Sequence, residues 1–370
     1  MAVSDRLKTA RVSLKLTLQA VEEQTEIGVS TLSEFENGKR EPRLVQLKQL
    51  ADVYLRPLGF FLEDGAPVPQ VVLWRKKPES PRAEEVQARL VKLAEQYHHL
   101  EVLCTGHEPC ALPFHGGGPA GFSYAQAEKL AHQFRQLLGL GERPGQALLR
   151  VLEEVCKVKV FHFDFEPSGG AACTLSESFG AAVLLNAKHV RWRRNFDLAH
   201  ELFHLLTWKT FRGAGDASAV EATDWEEKLA TCFARNLLMP SEVLRVSVDE
   251  ALAKHGDRLT FDDLFEVARQ FDVSVEAVVR QIGFVYHKAA DWANSALERF
   301  GNQIGFWESR ASDAPLALPV RYQALARQAL RKGLLSAGKY AEYTGVSRRQ
   351  AMQIVEQDAG DDASFEVANP

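Results

Sequence analysis

Apolar residues recur at helical spacing through most of this chain, and the spacing breaks in only a few places. Across residues 1–64, Val21, Ile27, Leu32, Phe35, Leu47 and Leu50 fall where the inner faces of short helices would meet. The pattern predicts four or five short helices there, taken as a five-helix domain with a small core. A longer helix is expected over about 83–103, followed by helices over about 124–139 and 145–156. Two runs lose the helical period and read as strands: Val158-Lys159-Val160-Phe161-His162-Phe163 and Ala182-Val183-Leu184-Leu185-Asn186. Phe196 to Leu206 is a strongly apolar helix, and Trp225 to Met239 is a second one, stopped at Pro240. Trp225, Leu229, Phe233 and Leu237 make the bulky stripe of that second helix. Glu227, Thr231, Ala234 and Leu238 make another face, with small residues that let a neighbouring helix approach. Further on, Ala268-x-x-x-Asp272-Val273-Ser274-x-x-Ala277 reads as helix, turn and helix packed on the preceding domain. Ala341-x-x-x-Gly345-Val346-Ser347-Arg348-Arg349-Gln350-Ala351 repeats that logic, and Arg348 and Arg349 offer a nucleic-acid contact, with helical packing the simpler use.

Breaker residues divide these elements. Gly65-Ala66-Pro67-Val68-Pro69 through Pro78-Glu79-Ser80-Pro81 reads as a linker. Gly116-Gly117-Gly118-Pro119-Ala120-Gly121 lacks the Lys-Ser/Thr that ends a phosphate loop, so it reads as a plain loop. Gly213 to Ser218 reads as a flexible loop between the two apolar helices. The expected architecture is mainly α with a small β-sheet (α+β). Residues 1–64 form the five-helix domain, 65–82 the linker, 83–290 the sheet-bearing domain and 291–355 a helical C-terminal region. Residues 356–370 carry five acids and no basic residue, as expected of a disordered tail.

Composition narrows the setting. The chain has 370 residues, 46% of them hydrophobic, enough for two or three domains with real cores. A net charge of −5 gives no bulk attraction for nucleic acid. Met1-Ala2-Val3-Ser4-Asp5-Arg6 leads into an amphipathic helix rather than a signal peptide, and no apolar run reaches membrane-spanning length. Five scattered cysteines fit a reducing, cytoplasmic setting. Cys104-x-x-His107-x-x-Cys110 has a metal-like spacing without an evident fourth ligand, so free thiols are the simpler reading.

The candidate chemistry lies in His200-Glu201-Leu202-Phe203-His204. Residues i and i+4 share one helix face, so His200 and His204 can grip one zinc ion while Glu201 sits beside the attacking water. Burying two imidazoles and a carboxylate among Phe196, Ala199, Phe203, Leu205 and Leu206 without partners would be costly, and a metal removes that cost. A third ligand is needed. Glu227 lies on the small-residue face of the next helix, and Glu226 points about 100° away. Spacing alone leaves Glu227 open between a ligand and a solvated first-turn acid.

The stretch Phe196 to Leu206, followed by Glu227-x-x-Ala230-x-x-Phe233-Ala234-x-x-Leu237-Leu238-Met239-Pro240, resembles the ImmA/IrrE metallopeptidase family over roughly residues 85–285. That resemblance implies zinc held by His200, His204 and Glu227, with Glu201 as general base. Phe203 stands where the family usually has Gly, and its bulk is expected to narrow the site. The oxyanion donor is not evident, and His162, His189, Arg193, Arg194 and Tyr286 are the candidates. The strand 182–186 reads first as core and second as a pairing edge for substrate.

Near the N-terminus, residues 17–42 resemble the XRE (Cro/repressor-like) helix-turn-helix family, including the ending Leu32-Ser33-x-x-Glu36-x-Gly38-x-x-x-Pro42. The resemblance assigns Ser30, Thr31 and Glu34 to a base-reading face and Asn37, Lys39 and Arg40 to phosphates. Glu26 stands where Gly is usual in the turn, and Gly28 where a capping Ser is usual. Residues 1–64 hold nine Lys and Arg against ten Asp and Glu, net −1, so DNA binding is expected to be weak or to need a homodimer. The leading function is a zinc endopeptidase fused to a DNA-binding regulator, cleaving a specific repressor or antitoxin-like protein in stress or phage-related switching. Two alternatives are a non-catalytic transcription regulator or antitoxin using the zinc fold as sensor or scaffold, and a protein-recruiting component of anti-phage defence.

Overall fold

The computed structural model describes residues 2–62, 71–75, 77, 83–106, 110–119, 121–165, 170–213, 221–256, 258–308 and 313–360. The N-terminal body is α1 (Val3–Ser13), α2 (Leu18–Thr25), α3 (Val29–Glu36), α4 (Leu44–Val53) and α5 (Leu58–Leu62). Val21, Ile27, Leu32, Phe35, Leu47 and Leu50 close its core, as the helical spacing predicts, and Leu7 and Phe61 join them. Thr17 caps α2 by accepting from Ala20 N at 3.1 Å. Glu26 ends α2 with φ 59°, so a glutamate occupies the left-handed position that glycine would fill without strain. Gly28 gives α3 no side-chain cap, but Glu22 Oε1 accepts from Val29 N at 3.2 Å and takes over that work.

The second body is built on a four-stranded sheet. Its strands β1 (Leu73–Trp74), β2 (Lys159–Phe163), β3 (Ala171–Ser176) and β4 (Gly180–Asn186) run in the order β1-β3-β4-β2. β3 pairs antiparallel with β1 and β4, and β2 pairs parallel with β4, Val160 opposite Val183. Alternation divides the side chains between two faces. Val160, Cys173, Val183 and Leu185 enter one core, and Phe161, Phe163, Ala172 and Leu184 enter another. The sheet is therefore a middle layer, buried on both sides.

On the second face lies α6 (Ala83–Thr105), followed in the chain by α7 (Tyr124–Leu137) and α8 (Leu148–Glu154). The first face carries α9 (Arg191–Leu206), with α10 (Trp208–Arg212) and α11 (Asp224–Leu238) beyond it. Ala230 and Ala234, fully buried, let α11 lie close against α9. Next come α12 (Ser241–Lys254), α13 (Phe261–Phe271), α14 (Val275–Val285) and α15 (Ala290–Glu308). The last helices are α16 (Val320–Arg331), α17 (Ala337–Thr344) and α18 (Arg348–Gly360).

Two stretches read as separate from the sequence are built into this core. Leu73 and Trp74, within the expected linker, pair with Cys173 and Ala172 as an edge strand. α16, from the expected C-terminal region, packs on α6 over the sheet, with the Tyr97 and Tyr322 rings edge to face at 5.3 Å. Buried Glu101 ties the layers through an ion pair with Lys159 Nζ at 2.9 Å and by accepting from Arg321. α18 continues to Gly360, into the stretch expected as tail, while residues 361–370 lie outside the described residues, as do 214–218 of the expected loop. Arg348 and Arg349 are exposed on α18. Cys104 and Cys110 are free thiols, and His107 between them lies outside the described residues. Among the described residues no helix is long and apolar enough to cross a membrane.

Candidate metal centre and its cleft

α9 carries His200, Glu201 and His204 inside the first core, all essentially without solvent contact. α11 crosses it and brings Glu227 from its first turn, where a carboxylate is also favoured by the helix dipole. One ligand atom from each of His200, His204 and Glu227 lies within 4.8 Å of the others. His200 Nε2 is 3.1 Å from Glu227 Oε2, His204 Nε2 is 3.3 Å from Glu227 Oε1, and the two Nε2 atoms are 3.3 Å apart. Three donors thus converge on one point, and the sequence's first choice for the third is the one that converges.

Glu226 reaches the other side of the same imidazole. Its Oε1 lies 2.8 Å from His204 Nδ1 and accepts from Arg212 Nη2 at 2.8 Å. The 100° offset that keeps it from the converging atoms places it to orient the His204 ring. Sequence reasoning missed this role and missed Arg212, because only α10's position brings that guanidinium to α11.

The charges show what the cluster lacks. Burial presses His200 down to about 4. Burial also acts to lower His204, but hydrogen bonds to Glu226 and Glu227 outweigh it and push it up to about 9. Burial works to raise Glu227, yet its hydrogen bonds to both histidines hold it well below the usual carboxylate range. A pocket that draws a proton onto His204 between two carboxylates favours positive charge, and the His, His, Glu donor set suits a divalent cation. Glu201 fits the same reading. Neither of its buried oxygens has a hydrogen-bond partner of normal geometry, and His200 Nδ1 is likewise unpartnered. Burial pushes Glu201 up to about 7, with the weakly donating Cys173 thiol acting the other way.

One helical turn from these groups opens a cleft of about 470 Å³. Asp197 on α9, Thr231 on α11 and the first turn of α14 form its walls. Asp197 is buried and accepts from Arg75 and, through Oδ2 at 3.0 Å, faces His189 Nδ1. His189 Nε2 has no partner among the described residues and lines the cleft.

The other oxyanion candidates separate. His162 lines a different cavity, beside Glu153, and burial lowers it to about 4. Arg194 is engaged by His189 O and Asp313, and Tyr286 donates to Asp249 Oδ1 at 2.7 Å. His189 and Arg193 are the two that reach the cleft. Phe203 is fully buried, its ring packed with Phe122 at 5.8 Å and Phe233 at 5.7 Å and edge to face on the His204 imidazole at 5.8 Å. Its bulk therefore sits against one of the converging imidazoles and does not line the neighbouring cleft.

In the N-terminal body, Ser30, Glu34, Asn37, Lys39 and Arg40 are exposed on and just after α3, with Thr31 half-buried. Arg40 lies 3.8 Å from Glu34, and Asn37 Nδ2 donates to Ser33 O at 2.8 Å.

Comparison with known families agrees with both bodies. Residues 7–61 match the family described as helix-turn-helix, and residues 153–282 match a peptidase family described as the IrrE N-terminal-like domain. No curated protein sequence matches the chain. A helix-turn-helix domain of the DNA-binding kind is therefore joined to a peptidase-like domain in one polypeptide.

Proposed function

We propose that this chain is a cytoplasmic, zinc-dependent endopeptidase that cleaves a specific regulatory protein, a repressor or an antitoxin-like protein, in stress or phage-related switching. The observation that carries the reading is Glu201: a fully buried carboxylate with nothing stronger than the weak Cys173 thiol to engage it, beside three converging metal donors. Such an arrangement costs stability without a reaction to serve.

His200, His204 and Glu227 would hold a zinc ion, which would supply Lewis-acid polarisation of the scissile carbonyl and a lower pKa for the attacking water. Glu201 takes the water's proton and delivers it to the leaving amine. Glu226, fixed by Arg212, keeps His204 Nε2 aimed at the other donors. His189, held by its Nδ1 contact with Asp197, turns the other edge of its ring to the cleft as the group that would face the developing oxyanion. Asp197 is a positioning residue, itself gripped by Arg75. The N-terminal domain would bring the enzyme to DNA-bound regulators, with Ser30, Thr31 and Glu34 toward bases and Asn37, Lys39 and Arg40 toward phosphates. Pairing as a homodimer would offset its net charge of −1 over residues 1–64.

The test is Glu201→Gln. Purified protein should retain stoichiometric zinc and lose cleavage of the repressors or antitoxins encoded beside it. Cleavage that survives in the zinc-loaded variant overturns the mechanism.

A further inference from the structure

The cleft beside the metal centre is strongly cationic in a chain whose net charge is −5. Arg75, Lys188, Arg193, Arg235 and Arg280 line it, against Asp197 and Glu276. Most of these charges are already matched. Arg75 is taken by Asp197, Arg280 by Glu276 at 2.8 Å, and Lys188 by Asp164 at 3.0 Å. Arg193 and Arg235 have no carboxylate partner among the described residues. Arg193 is exposed. Arg235 is not: its Nε is buried without an acceptor, and its guanidinium rests 5.5 Å from the centre of the Phe284 ring. A half-buried guanidinium with an orphaned N–H is costly unless something anionic completes it. The positive end of α14 opens on the same wall through Ser274 and Ala277.

Distances along the helices say where that anion would sit. Arg235 lies eight residues beyond Glu227 on α11, a rise of about 12 Å. Arg193 lies seven residues before His200 on α9, a rise of about 10 Å in the same direction along the cleft. An extended peptide advances about 3.3 Å per residue. Both guanidiniums therefore meet side chains about three to four residues from a bond held at the metal centre.

On the peptidase reading above, we propose that this cleft selects an acidic segment of its protein substrate, with Arg193 and Arg235 taking Asp or Glu side chains three to four residues from the scissile bond. Two cations without carboxylate partners, in a cleft also lined by apolar Trp192 and Phe196, suit a peptide with one or two acids. A polynucleotide carries a charge on every residue and would need a continuous cationic track. It would also run toward Asp197, Glu201 and Glu227, which repel phosphate.

Binding can be measured apart from cleavage, using full-length zinc-loaded Glu201→Gln protein and fluorescein-labelled twelve-residue peptides. One peptide carries two glutamates, one carries glutamines in their place, and a single-stranded oligonucleotide serves as the anionic control. The acidic peptide should bind at least tenfold tighter than its amide twin. That preference should weaken with salt and vanish in R193A/R235A, checked for fold by circular dichroism and for retained zinc. Arg193→Glu, a surface change, should reduce it alone, and Arg235→Lys should keep part of it. Equal binding of the two peptides overturns the proposal, as does an oligonucleotide that outcompetes the acidic peptide. Wild-type cleavage of the same peptides is scored separately. Acid-selective binding without any cleavage supports the site and removes the peptidase reading. Cleavage indifferent to the acids keeps the peptidase and removes the site.

Discussion

At the scale of single residues, the centre divides into groups that would touch the reacting atoms and groups that aim them. Glu226 belongs to the second kind, because its contact is with His204 Nδ1 and not with the converging Nε2. Glu226→Gln should weaken zinc binding about 10- to 100-fold, measured by competition with a chelating dye, while the fold persists. A wild-type affinity in that variant would show that Arg212 and the helix alone set the imidazole. His189→Ala should lower kcat by about 100- to 1000-fold with zinc content and KM little changed, because the lost donor acts on charge that appears only in the transition state. An equal loss in KM would make His189 a substrate-binding group instead.

At the scale of elements, the junction between α2 and α3 holds Glu26 at φ 59°. Glu26→Gly should raise the melting temperature of the N-terminal body by relieving about 1 kcal/mol of strain, less what glycine adds to unfolded-state entropy. A fall would mean that Glu26 makes a contact worth more than the strain. The packing of α8 beside the sheet predicts a pH effect. Burial pushes Glu153 up to about 7, above its unfolded value, so the proton is held more tightly in the fold. Its contribution is complete below about pH 4.5 and is lost as pH rises through about 7. Glu153→Gln should therefore stabilise the protein at pH 8, by at most about 3 kcal/mol, and do little at pH 4.5, as read by urea denaturation at both values. The elements differ in how far the chain announces them. α9 and α11 were legible because each has a bulky stripe, a chemical face and, for α11, a proline stop. β4 was legible from Ala182-Val183-Leu184-Leu185. β3 was not, because Ala171 and Cys173, under α9, and Ala172, on the opposite face, are all small and carry no strand-like bulk. Angle ranked Glu227 above Glu226 as the third donor but left Glu227 open until the family resemblance was added, whereas Arg212, Asp197 and Arg75 acquire their places only when three distant segments meet.

At the scale of the whole molecule, two matched bodies share one chain, and the segment between them is not idle. If residues 1–64 bind DNA through phosphates, Lys39→Ala and Arg40→Ala should each weaken binding to all sequences alike and lower the salt slope by about one, read by anisotropy across a salt series. An unchanged slope would point to a protein partner for that domain. The edge strand β1 adds a different consequence. It contains only two residues, held by pairing with β3, by Arg75 N donating to Ala171 O at 3.1 Å and by Thr174 Oγ1 donating to Val71 O at 2.7 Å. So short a strand opens at a far smaller free-energy cost than the sheet it borders. The residue that follows it is Arg75, whose grip on Asp197 steadies His189. Amide hydrogens of residues 73–75 should thus exchange long before those of β4, and gentle warming should silence the proposed peptidase activity while the far-ultraviolet spectrum is still native.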